Sequence, residues 1–261
     1  MNESNWGYGG ERIVRNKLLD NGRKLGGSHF LILDADECLS SNYIKHAKSE
    51  ILELKPGNAL ALPWVNLWKK FDQTCGQGTP WAPQLKDFAF ADPGEVCYPE
   101  RLLHFSRTPL SNPGESWIKS KKDGVVLHTQ FAQWERTQIK QAWYRCLELI
   151  FTKQKARHIN LTYEITKDSA VKEVFSAKKE WINGIRFPKD IGNLESNWHL
   201  QEIFIWFERF GPVFFERLDI WHIKELKDYF EANIGRSPKS PLYPSIFRKK
   251  AAILRQKIYQ N

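Results

Sequence analysis

Three carboxylates close a short apolar run in His29 to Ser40, HFLILDADECLS, and they carry the strongest chemical signal in the chain. Asp34 and Asp36 stand one residue apart, and Glu37 follows directly. On an extended backbone alternate side chains share a face, so Asp34 and Asp36 would point the same way. Like-facing carboxylates repel unless a cation or a shared proton lies between them. Such oxygen ligands suit a hard divalent ion, Mg2+ or Mn2+, which keeps open positions for a substrate's phosphates. The alternative involves no chemistry: an acidic surface loop in which Asp36 or Ser40 caps the next helix.

The elements around the triplet must place it. Phe30 to Leu33 is too short for a helix and reads as a strand buried on both faces, with the acids at its carboxyl end, where ligands collect in open α/β sheets. Before it, Glu11 to Leu25 reads as a helix with Ile13, Val14, Leu18 and Leu19 on one side, ended by Gly26 and Gly27. A helix crossing into a parallel strand calls for an earlier strand, and the chain starts too soon to supply one. After it come a helix over 41–54, a strand over 59–68 in which Pro63 implies an edge or a bulge, and a loop over 73–84. Residues 86–92 read as a strand ending in the turn Asp92-Pro93-Gly94, and 101–107 and 124–131 as two more strands. From Gln133 the pattern turns helical, with helices expected over 133–153, 170–181, 198–210 and 223–232. Three domains follow: an α/β core over 1–132, a helical region over 133–234, and a Pro-containing linker with a basic terminal helix over 235–261. That helix either docks with its basic face solvated or lies on an anionic membrane.

Composition narrows the function classes. Apolar residues at 41%, with eleven Trp and sixteen Phe, fit a packed core and exclude a disordered chain. A net charge of +9 favours anionic partners. The basic residues are spread along the chain without a zinc knuckle, recognition helix or aromatic RNA-binding motif, so no specific nucleic acid is expected. Four cysteines without a CxxC pair point to a reducing compartment, and the lack of a long apolar run or a leader to a cytoplasmic protein.

The stretch ERIVRNKLLDNGRKLGGSHFLILDADECLS, Glu11 to Ser40, resembles the family 2 glycosyltransferases. It has their Arg-Asn helix, glycine break, apolar strand and Asp-x-Asp in the same order. The resemblance implies a GT-A-like, Rossmann-like mixed sheet that is N-terminally truncated, because such enzymes devote earlier strands to the nucleoside. A longer gene product, or a partner chain supplying the missing strands, would complete it; the third alternative is a degenerate, inactive chain that no longer transfers sugar. It implies a nucleotide-sugar donor, a saccharide or lipid-linked acceptor, and Mn2+ or Mg2+ held by Asp34 and Asp36. Arg12, Arg15, Asn16 and Asp34 would face the donor. His128, in VLHTQF, would be a third metal ligand, with His104 a weaker candidate. Asp92, or else Asp87, would take the acceptor's proton, and Trp64, Trp68 and Trp81 would stack on its sugar. The triplet also resembles motif one of the haloacid dehalogenase phosphatases, whose first Asp is a nucleophile. No Thr or Val follows Glu37 as that family requires, and no later paired acidic motif appears. A non-catalytic basic binding module is the remaining alternative.

Overall fold

The computed structural model describes residues 10–77, 79–99, 106–110, 116–187 and 197–244. In chain order its elements are α1 (Gly10–Lys24), β1 (His29–Leu31), β2 (Glu37–Leu39), α2 (Ser41–Leu52), β3 (Ala59–Asn66), β4 (Gln73–Cys75), β5 (Gln84–Ala91), β6 (Trp117–Lys119), β7 (Val126–His128), α3 (Trp134–Phe151), α4 (Ala156–Thr162), β8 (Val174–Ser176), α5 (Lys179–Ile182), α6 (Trp198–Phe210) and α7 (Lys224–Ile234). They form an α/β protein of two units, residues 1–132 with 173–187, and residues 133–172 with 188–261.

The first unit is built on a curled mixed sheet in the order β1-β5-β3-β7-β2, with β6 also paired to β3. β1 runs antiparallel to β5 and is an edge strand among the described residues. The sequence pattern suggested a parallel strand buried on both faces, yet Leu31 is 43% exposed. With β5 on one flank only, β1 lacks the second neighbour that would cover it.

The centre belongs to β3, whose residues are all buried except Pro63. Pro63 suggested an edge strand, and the ladder explains why a central one tolerates it. Odd-numbered residues of β3 bond toward β6 and β7: Ala59 N–H to Ser116 O, Ser120 N–H to Ala61 O, and Leu67 N–H to His128 O just past the strand. Pairing with β6 ends at Ala61 and pairing with β7 starts at Trp64. The nitrogen of Pro63 therefore points into the interval between two strands, where no ladder bond is lost. On the opposite flank Leu60 pairs with Ala89 and Ala61 with Asp87, which makes Phe88 an extra, bulged residue of β5.

Helices cover the two faces of this sheet. Tyr43 and Ala47 of α2 pack with Leu62, Trp64, Phe88 and Val126. Leu19 of α1 packs on the other face with Ala59, Phe90 and Tyr98. Of the apolar residues expected to share the buried side of α1, Ile13, Val14 and Leu18 are exposed instead. Ser40 precedes α2 but makes no cap bond; its hydroxyl accepts from Val125 N–H.

Residues 170–181 do not form the expected helix. Val174–Ser176 pairs with Gln73–Cys75 in a small antiparallel ribbon, and only Lys179–Ile182 turns helical. The β-forming Val174 and Phe175 find a partner strand there, and that overrides a weak helical pattern. In the second unit α3, α6 and α7 follow their apolar periodicity, burying Ile139, Ala142, Cys146, Ile203, Phe207, Leu226 and Phe230. Gly211, at φ +76°, ends α6 as the Gly211-Pro212 pair suggested. No helix among the described residues is long and apolar enough to cross a membrane. His104, most of the expected strand over 101–107, and the basic segment from Ser245 onward lie outside the described residues.

Candidate functional site

The acidic triplet lies on the turn that links β1 to β2, where Glu37 N–H donates to Asp34 O at 3.0 Å. Its far side is fixed by β7. Glu37 and His128 are paired across the ladder, and Thr129 donates to Asp36 O from both its N–H and its hydroxyl. This register brings His128 Nε2 to 3.5 Å from Asp36 Oδ2.

The facing atoms have a defined polarity. Asn66 Nδ2 donates to Trp81 O, which turns its Oδ1 toward His128 Nδ1, 2.8 Å away. With Nδ1–H donating to that oxygen, Nε2 faces the Asp36 carboxylate, as a lone pair when the ring is neutral and as an N–H donor when it is protonated. Two lone-pair-bearing atoms in this position repel until a cation or a proton lies between them. Metal ligands of this kind sit roughly 2.1 Å from their ion, so a pair 3.5 Å apart can close on one ion. Asn66 supplies the outer hydrogen bond that orients a ligating histidine. Among the described residues no three His, Cys, Asp or Glu side chains cluster as a metal site. The protein offers two ligands, an arrangement that suits an ion completed by substrate phosphates and water.

Beside this pair lies a network of fixed charges. The Glu37 side chain is fully buried and accepts from Trp64 Nε1 at 2.7 Å, Asp34 N–H at 3.0 Å and the Arg107 guanidinium, with Nη1 at 2.6 Å. Asp34 turns to arginines, with Arg15 Nη2 at 3.1 Å from Oδ1 and Arg107 Nη1 at 3.4 Å from Oδ2. Burial alone would lower the Arg15 pKa, but Asp34 and Glu11 outweigh it and hold it above the usual value. Arg107 is held by its neighbours in sequence: Ser106 Oγ, Thr108 N–H and Thr108 Oγ1 all donate to Asp87 Oδ2.

Trp64 forms the wall between the two groups. Its ring stacks on His128 at 4.5 Å between centroids, and the Lys86 ammonium lies 3.5 Å from its centre. No known protein family, curated protein or solved structure matches this chain.

The expected site residues separate into those this turn gathers and those it does not. Asp36 and His128 face each other, whereas Asp34, on a turn rather than a strand, faces Arg15 and Arg107 and does not share the face of Asp36. Arg12 lies one turn before Arg15 on the same side of α1. Asn16 is spent on structure: its Oδ1 accepts from Tyr98 N–H at 2.8 Å and its Nδ2 donates to Tyr98 O at 3.4 Å.

Neither carboxylate expected as a base is placed for that work. Asp92 N–H donates to Ser28 O at the start of β1, the opposite end from the acidic turn. Five residues, His29 to Leu33, separate Ser28 from the first acid of the turn. Both Asp92 oxygens are taken by Arg23, at 2.6 and 2.8 Å, and these bonds hold the carboxyl below its ordinary pKa. Asp87 is buried and organises the Arg107 segment. Trp68, at 1% exposure, packs on Phe131 and cannot stack on a sugar; Trp64 is buried as well. Trp81, half-buried against Phe131, keeps the exposure that stacking needs.

Sequence reasoning missed Arg107, Lys86 and Asn66. Lys86 opens a segment already read as a strand, and Asn66 pairs with His128 across β3 and β7. Nothing local to Arg107 marks it.

Proposed function

We propose that the chain is a GT-A-like, family 2-type glycosyltransferase unit. It grips the diphosphate of a nucleotide-sugar through Mn2+ or Mg2+ on Asp36 and His128, and it passes the sugar to a hydroxyl of a saccharide or lipid-linked acceptor. The observation that carries this reading is the apposition of Asp36 Oδ2 and His128 Nε2 at 3.5 Å. When bound, the ion would stabilise the negative charge on the departing diphosphate as a Lewis acid.

The chain's own groups do the rest. Asn66 fixes the ring orientation of His128, and buried Trp64 keeps water from its face. Arg15 and Arg107 offset the charge of Asp34 and Glu37, so the turn holds its acids together before any ion arrives. Those two arginines also leave Asp34 poorly placed as a nucleophile, which argues against the phosphatase alternative. The outer flank of β1 carries no strand among the described residues, and a strand from a partner chain would pair there. A cytoplasmic setting, with peripheral contact to an anionic membrane, fits the net charge of +9.

Calorimetric titration of Mn2+ in the presence of UDP or GDP tests this. The wild-type chain should take up one ion, and Asp36→Asn and His128→Gln should each abolish uptake while keeping the fold. Equal uptake by all three proteins, or none by the wild type with either nucleotide, would overturn the reading.

A further inference from the structure

Lys86 is the one half-buried cation of this site, among the described residues, whose ammonium bonds no protein oxygen. It reaches Trp64 from the β5 side of β3, while His128 stacks on the same ring from the β7 side. The bulge at Phe88 makes this possible, because it turns Lys86 to the face of Trp64 and Leu62 and leaves Asp87 on the other.

The carboxylates around Lys86 are engaged elsewhere. Glu37 is taken by Arg107, Trp64 and the backbone of Asp34; Asp34 by Arg15 and Arg107; Asp87 by Ser106 and Thr108. What remains for the ammonium is an indole face at 3.5 Å. A ring offers a charge some attraction but accepts none of its three N–H bonds in the manner of an oxygen. A half-buried ammonium that keeps only part of its water and bonds no protein oxygen has N–H donors left for an anionic ligand. Lys86 is half-buried, so a ligand can reach it. Arg107 beside it adds positive potential, which Glu37, Asp87 and Asp34 offset in part, and the ammonium and the guanidinium are the two cations an anion would meet here.

We propose that Lys86 is a phosphoryl-binding residue, forming with Arg107 an anion subsite on the far side of Trp64 from the Asp36–His128 pair. The ammonium lies no farther from the His128 ring than the two ring spacings combined, with the buried Trp64 ring between them. The phosphoryl group belongs either to the nucleotide-sugar donor or to a phosphorylated acceptor. The subsite rests on the glycosyltransferase reading only for the identity of its ligand; its anion affinity does not require a metal.

The test is calorimetry with inorganic pyrophosphate in EDTA, on the wild type, Lys86→Met and Lys86→Arg. Losing a charge-assisted bond should weaken binding by about tenfold or more in Lys86→Met, and Lys86→Arg should stay within about threefold of wild type. Asp36→Asn should lose the added affinity for pyrophosphate that Mn2+ confers. Loss of that Mn2+ effect without any Lys86 effect overturns the subsite and leaves the metal reading standing. A Lys86 effect without any Mn2+ effect does the reverse. Wild-type protein that binds no pyrophosphate in EDTA also overturns the subsite. Competition then assigns the source: displacement of pyrophosphate by Mn2+ with UDP or GDP identifies the donor's phosphate, and simultaneous binding identifies an acceptor's.

Discussion

Replacing Lys86 with methionine should make the free protein more stable at pH 7. Burial, and then the neighbouring Arg107, push the Lys86 pKa from 10.5 down to about 8. Each tenfold change in proton affinity corresponds to about 1.4 kcal/mol, so keeping the charge here costs roughly 3 kcal/mol relative to water. The Trp64 face returns about 1–2 kcal/mol of that through the cation–π contact. Methionine keeps the unbranched stem against the ring and carries no charge. The expected gain is therefore about 1–2 kcal/mol, or a rise in Tm of roughly 2–8 °C for a chain of this size. The sign with pH follows from linkage. Because the folded-state pKa is lowered, the unfolded chain binds more protons between pH 8 and 10.5, and wild-type stability recovers across that window. The advantage of Lys86→Met should be full below about pH 8 and shrink toward pH 10.5. Urea unfolding at pH 7, 8.5 and 10 measures it. A variant no more stable than wild type at pH 7, or a difference that ignores pH, would refute the claim that burial strains this ammonium.

Glu37→Gln should cost about 3 kcal/mol, since it leaves the Arg107 guanidinium without its buried counter-charge; a melting curve should reveal the loss, with Mn2+ uptake reduced as the turn loosens. Asp92→Ala should lower stability by about 1–3 kcal/mol by freeing Arg23, yet leave Mn2+ and pyrophosphate binding unchanged. Because the folded-state pKa of Asp92 is depressed, its contribution is present above the ordinary aspartate value and disappears as pH falls through the lower folded one, so wild type and Asp92→Ala should converge in acid. In the second unit, fully buried Asn160 bonds Arg217 O, Leu242 O and Asp219 N–H, and Asn160→Ala should cost about 3 kcal/mol or more. Hydrogen exchange should then quicken at Leu242, whose N–H donates to Arg217 O.

Features set by local pattern were readable in the sequence, and features set by long-range pairing were not. The helix over Trp198–Phe210 follows from its apolar spacing and its Gly-Pro stop, and the acidic turn announces itself in a few residues. The proximity of Asp36 to His128 spans ninety-two positions and is the exception, because the family resemblance implied His128 beside the acids. Asp92 looked available because its turn is local, whereas the Arg23 that consumes it is sixty-nine residues away. Simple alternation along β5 puts Lys86 and Phe90 on one face; the extra residue at Phe88 reverses that, and no residue type in KDFAFAD signals it. Pro63 misled for a related reason: the handover from β6 to β7 that frees its nitrogen is a property of three strands at once.

A single indole touches both His128 and Lys86. In the proposed scheme ion uptake would draw on His128 and anion uptake on Lys86, and both groups pack on the same ring. Whatever factor one occupant imposes on its neighbour's affinity, the neighbour must impose in return. Trimming Trp64 to leucine would sever that crosstalk, and the two loadings would then proceed as if on separate molecules.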